Sequence, residues 1–513
     1  FSRLAWFLLR DVPAFNAPRI SPTGLTMVVA AIVKQLTPAQ LRLFAKEAYQ
    51  PGFIQDLTKQ VMELRTANIA PEDYDQIKQR SAAWAEAHGQ TDAAFDDKLA
   101  VLFTVYQRFM AALGDQLATP DIYDLLIQAL RQGDFSTTHF YLDRYNAQFS
   151  AKEEQVVEAM IENGATTTVS LVLDRPYRGS QVPDPNQLFY QPGLMYHRLA
   201  RFAEQHGAIT FLPDEFASRP RVAPALQEVE RWLAATSQFT TPAPAPTLPQ
   251  AVHFMTAPTR LAELNAVAAK IRQLVTHQHY RYRDFLVLTR RLDGYETMLQ
   301  PVFAAHEIPV FNDNDRPMKT HPLVTLVLGL FQVLWGHFQL TDLMQVLKTG
   351  LLLPAVEVAG QPLTAEQFKA DLYLTENWAL KYGKSGASWL STKPFEYTPH
   401  LEITPAMEQT ALGQAELQKR AQLNRVKHYV KTELAPFLAQ WRQAKTGRQA
   451  AQLLFEFLHH QGVEKQLAAW EQAAVEAGEL ALGQEPQQVW QLFCQPLDEY
   501  VLALGDQTPF SLT

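Results

Sequence analysis

One cysteine, Cys494, is all that the 513 residues contain. A disulfide framework and a cysteine metal site within this chain are thereby excluded. Such thiol usage fits a cytosolic setting. A cationic excess is also absent: 45 Lys and Arg stand against 53 Asp and Glu, for a net charge of −8. That argues against a simple polycation that coats nucleic acid, although a local basic groove can exist on an acidic protein. No apolar run reaches bilayer length. The strongest, Leu323 to Gly336 (LVTLVLGLFQVLWG), falls short of the ~20 residues a spanning helix needs, so no membrane partner is expected. The opening FSRLAWFLLRDV is broken by Arg3, Arg10 and Asp11, and no signal-peptidase site follows. HExxH, GxSxG, GxGxxG and paired cysteines are all missing. The single P-loop look-alike, GKS at Gly383 to Ser385, has Trp378 where the pattern needs glycine. It also follows a helical pattern where a strand is required, so it is rejected as a nucleotide site. No catalytic constellation is visible, and no metal or cofactor is expected in this stretch.

What is present reads as soluble and multidomain. Hydrophobic residues make up 47% and charged residues 19%, and the length suits three or four domains at ~150 residues each. The beginning at Phe1 and the end at LGDQTPFSLT suggest a piece of a longer protein. Ser2 to Leu9 reads as a helix, with Ser2 as a possible N-cap. Residues 23 to 130 are helical throughout, with starts at Thr37-Pro38 and Ala70-Pro71. From Asp134 the pattern changes. His139 to Asp143 (HFYLD) is a strand, Ser150 and Glu153 form a capping box that opens a helix, and Thr166 to Asp174 is a second strand. AITFLPDEF is expected as another strand and PALQEVERWLAAT as a helix. Thr240 to Gln250 (TTPAPAPTLPQ) is a semi-stiff linker and the clearest boundary. VHFMTAP then reads as a strand before a helix. Phe285 to Thr289 (FLVLT), a helix from Tyr295 to His306, and Ile308 to Phe311 (IPVF) together read as a βαβ unit. From Pro322 onward the chain is again mainly helical.

Four places could carry chemistry. Thr289, Arg290 and Arg291, with Asn312, Asp313 and Arg316, follow the two apolar runs of the βαβ unit. Open α/β sheets bind ligands at that edge, so these residues suit a phosphate or nucleic-acid site, or are solvated loop. Phe1, Arg3 and Trp6 lie near one another around the first helical turn. They suit stacking and backbone contact with single-stranded nucleic acid, or are core aromatics beside a surface arginine. Asp143 at a strand end resembles a Walker B carboxylate. The next position, often acidic in active sites, is Arg144, which cannot act as a base, so ATP hydrolysis there is not expected. His277 and His279 lack a third ligand and read as a solvated helix end. His459 and His460 suit a last helical turn.

Several stretches, taken in order, resemble the B subunit of the bacterial AddAB/RexAB helicase–nuclease family. They are FSRLAW, PGFIQDLTKQVMELR, DDKLAVLFTVY, HFYLDRYNAQFSAKEEQVV, RYRDFLVLTRR, IPVFNDNDRPMKTHPL, VLKTGL and ENWALKYGKSGASWL. The resemblance implies an α/β fold with large helical insertions. Two RecA-like domains (P-loop NTPase-like, as in superfamily-one helicases) would each carry a mainly helical insertion. The first would span 1–22 and 131–239 without its P-loop, interrupted by the insertion 23–130. After the linker 240–250 come the second, at 251–322, and its insertion, 323–513. The resemblance further implies a cytoplasmic role in double-strand break repair by homologous recombination. There the B subunit reads the Chi sequence as single strand, beside an AddA/RexA partner that supplies motor and nuclease. Single- and double-stranded DNA are the implied ligands. ATP and Mg serve the family complex, and iron–sulfur cysteines, where present, lie outside this region. Phe1, Arg3 and Trp6 match the recognition segment. Tyr145 holds the aromatic place after the degenerate Walker B-like Asp143, and Arg290 is a further DNA-binding candidate. An active ATP-dependent helicase domain is the alternative expectation.

Overall fold

Helix starts follow the capping chemistry. In a computed structural model the described residues are 1–88, 93–114, 116–145, 149–216, 224–237, 252–312, 318–358, 360–479 and 483–504. Thr37 accepts from Gln40 N and opens the helical turn Pro38–Leu41. Ser150 and Glu153 form the expected reciprocal box, with Glu153 Oε2 accepting from Ser150 N at 3.0 Å and Ser150 Oγ accepting from Glu153 N at 3.3 Å. At Ala70 a short 3-10 turn, Pro71–Asp73, leads into the helix Tyr74–Ala87. Helix α1 runs Ser2–Leu9 with Phe1, not Ser2, at its N-cap and no side-chain cap bond. Its start is set by packing of the Phe1 ring instead. It stops before Val12-Pro13, where the residue preceding proline disfavours helix.

The chain divides into two units: Phe1–Thr138 with Phe149–Thr166 and Pro317–Thr513, and His139–Gln148 with Thr167–Arg316. The first is built of helices. Helix α2, Pro22–Lys34, packs with Pro51–Thr66 and Ala93–Leu113 around Val29, Val33, Val61, Val105 and Phe109. A second core gathers Leu326, Leu330, Leu343, Trp389, Val430 and Trp441 among others. Helix Glu485–Leu504 packs on α2 and also on Gly447–His460 and Val463–Glu476. It thereby joins the two stretches expected as helical insertions. Gly447 allows the close approach there: a Cβ would lie 2.6 Å from the Tyr500 ring, which would have to shift. Among the described residues no helix is long and apolar enough to cross a membrane.

The second unit holds strand β1, His139–Tyr145, paired with β2, Thr166–Leu171. β1 therefore extends past Asp143, and β2 stops short of Asp174. Helices Arg260–Gln278 and Glu296–Ala305 pack together over Leu264, Ile271, Leu299, Phe303 and Ile308. The other expected strands differ from the sequence reading. Residues 285–289, 308–312, 208–216 and 252–257 lie in no sheet among the described residues. Ile308 is buried and Phe285 packs against that cluster, but Leu286, Leu288 and Phe311 are 79%, 82% and 88% exposed. The reason is that a strand needs backbone partners beside it, and an apolar run records only the capacity to be covered. The Thr240–Gln250 linker lies outside the described residues.

Candidate nucleic-acid interface

The first helix carries the candidate interface. Ala5 and Leu9 are fully buried, and Leu4 and Leu8 half-buried. This i, i+4 stripe seats α1 on the helix Thr119–Gln132. Two aromatic contacts fix the start of that seat. The Phe1 ring stands edge-on to Tyr123 at 6.3 Å and tilted against Phe149 at 5.9 Å. Beyond α1, Pro18 to Ile20 is tied to Leu117 by two backbone hydrogen bonds of 2.9 and 3.1 Å. The helix beneath is pinned by Asp121, which accepts from Ala118 N at 2.8 Å and pairs with the buried Arg65. That helix also packs against Ala151–Asn163, where Lys152 pairs with Asp124 and Arg131 with Glu162.

Opposite the buried stripe, α1 presents Arg3, Trp6, Phe7 and Arg10. Trp6 is 57% and Phe7 62% exposed. Water-facing positions of an amphipathic helix are ordinarily polar, so two exposed aromatic rings on that face make it a candidate binding surface. Arg3 is exposed and forms no ion pair among the described residues. The Arg10 guanidinium lies 5.8 Å from the Trp6 ring centroid and 5.8 Å from that of Phe7. Of the three residues expected to act together, the structure groups Arg3 with Trp6 and turns Phe1 into the aromatic seat. Phe7 and Arg10 were missed. The signal for them was in the spacing, since positions 3, 6, 7 and 10 share one helix face.

The remaining DNA candidates belong to the second unit. Asp143 is exposed on β1. Tyr145 ends that strand, but its side chain, like that of Arg144, lies outside the described residues. Arg290 is exposed after the unpaired run 285–289 and has no ion-pair partner among the described residues. Asn312 is described, whereas Asp313 and Arg316 are not. His277 ends a helix, and His279 caps it in the left-handed region at φ 59°. In the first unit, the GKS loop follows the helix Ala365–Lys381. Ser385 Oγ donates to Gln339 Oε1 at 2.8 Å and accepts from Leu340 N at 3.0 Å. It serves a neighbouring helix start and does not fit a nucleotide phosphate.

A family profile described as "ADDB, N-terminal" matches residues 1–230, which include α1, β1 and β2. Residues 1–230 of the chain thus carry the N-terminal region that defines that family. It is 44% identical to the B subunit of the ATP-dependent helicase/deoxyribonuclease of Limosilactobacillus fermentum, over 99% of this chain and 41% of the relative. The corresponding protein of Limosilactobacillus reuteri is 40% identical over 99% of this chain and 41% of its own length. That of Lactiplantibacillus plantarum is 38% identical over 100% and 42%. The chain thus spans about two-fifths of the length of these relatives.

Proposed function

We propose that this chain is the strand-holding part of a helicase–deoxyribonuclease B subunit. It carries single-stranded DNA, reads Chi within it, and works beside an A subunit that supplies motor and nuclease. The observation that carries this reading is Trp6, an exposed indole on the same helix face as Arg3, which has no ion-pair partner among the described residues. Stacking on an aromatic ring contributes about 1–3 kcal/mol per base, and an arginine beside it can pair with phosphate or a base edge. The strand–helix–strand order from His139 to Leu171 supports a RecA-like ancestry. In this proposal Asp143 is a Walker B relic, and ATP and magnesium act elsewhere in the complex.

The test is strand recognition in the assembled complex. Trp6→Ala and Arg3→Ala should each weaken the response to Chi-containing single strands and leave unwinding intact. An undiminished Chi response in both variants refutes the reading. ATP turnover by the chain alone, lost in Asp143→Ala, would favour an active helicase domain instead.

A further inference from the structure

We infer that Phe7 and Arg10 form a second nucleotide step on α1, next to that of Trp6 and Arg3, and that Asp11 gates it. The inference rests on the single-strand reading above and extends it along the same helix. Successive helical residues are rotated by about 100°, so Trp6 and Phe7 do not face each other. One base cannot stack on both rings. Two exposed rings therefore offer faces to two bases of one strand. Arg10 follows Trp6 by four positions and Phe7 by three, and its guanidinium is equidistant from both ring centroids at 5.8 Å. It is thus placed to meet the phosphate joining the two nucleotides. Arg3 lies at the other end of the stripe, about 10 Å along the axis at 1.5 Å per residue. The order cation, ring, ring, cation complements a polyanion with apolar bases, which is the chemistry of single-stranded nucleic acid.

Asp11 supplies the gate. Its Oδ2 lies 3.5 Å from Arg10 Nε, with both side chains open to solvent. Exposed pairs of this kind are weak and exchange readily. A phosphate reaching Arg10 displaces Asp11 and is repelled by it, so the carboxylate lowers the affinity of the second step.

The experiment measures binding of fluorescein-labelled oligo(dT) to the full chain by anisotropy, across a salt series. The variants are Phe7→Leu, Arg10→Gln, Asp11→Asn and Trp6→Ala, each checked for wild-type helicity by circular dichroism. Phe7→Leu keeps an apolar helical residue but removes the ring face, and should weaken binding about tenfold. Arg10→Gln should weaken it and reduce the salt slope by about 0.7. Asp11→Asn should tighten binding, a gain that folding damage would not produce. If Trp6→Ala loses affinity while Phe7→Leu and Asp11→Asn match wild type, the second step is overturned and the single-strand reading stands. If Trp6→Ala also matches wild type, the single-strand reading itself falls.

Discussion

Asp121 pins the helix beneath α1, and its replacement has a calculable cost. One carboxylate oxygen accepts from Ala118 N at 2.8 Å and the other holds Arg65. The Arg65 side chain is only 5% exposed, and its Nη1 has no hydrogen-bond partner among the described residues. Asp121→Ala leaves that guanidinium buried without a counter-charge, which costs about 3–5 kcal/mol. It also removes a helix-start contact of about 1 kcal/mol. The two losses share one side chain and do not add in full, so we expect about 4 kcal/mol. Arg65→Met should cost about 1 kcal/mol or less, because it removes a poorly satisfied buried charge and keeps the apolar stem. In the Arg65→Met background, Asp121→Ala should then cost only the helix-start contact, giving a coupling energy of about 3 kcal/mol. Urea unfolding of the four proteins, followed by circular dichroism, measures the cycle. Equal losses in the two single variants, or a loss below about 1 kcal/mol for Asp121→Ala, would refute the reasoning.

Two further outcomes are expected. His321 caps the helix Pro322–Trp335 by accepting from Leu323 N at 3.1 Å through Nδ1. Burial, opposed by the Glu485 charge, holds its pKa below the ordinary 6.5. The unfolded chain therefore takes up the proton first, and stability, full above the ordinary value, should fall as pH drops through 6.5 and below. His321→Asn keeps a capping group that does not titrate, so the fall in melting temperature between about pH 7.5 and 5 should be smaller than in wild type. At Gly413 a Cβ would meet the Met407 carbonyl oxygen at 1.9 Å, whereas at Gly52 it meets nothing within 4 Å. Gly413→Ala should therefore cost about 3 kcal/mol or more, and Gly52→Ala should gain about 0.5 kcal/mol, both read from thermal melts.

The residues that announced themselves in the sequence act locally. Ser150 with Glu153 and Thr37 with Pro38 set helix starts through contacts within one turn, so spacing alone revealed them. The same holds for the rejected GKS motif, because the helix before it follows from local periodicity. Strands were less legible. Phe285 to Thr289 and Ile308 to Phe311 have the composition of covered strands, but pairing depends on segments that composition does not name. A mainly helical stretch was expected from Pro322 onward, yet the contact of the helix Glu485–Leu504 with α2 was not. Ser21 meets Glu499, 478 positions away, and no local pattern encodes such a partner.

The first helix lies between these cases. Phe1, Arg3 and Trp6 were grouped by nearness in sequence, but a 3.6-residue turn separates them. Phe1 falls in line with Ala5 and Leu9, which are buried, while Arg3 falls in line with Trp6, Phe7 and Arg10, which are exposed. One face thus fixes the helix on Thr119–Gln132, and the other keeps two rings in water. Stability favours the first arrangement and opposes the second, since each exposed ring forgoes burial that contributes ~25 cal/mol per Å². Burial by itself therefore does not explain both rings outward. In the proposed reading a ligand with flat apolar faces and regularly spaced negative charges does, and it also accounts for the arginines at both ends of the stripe.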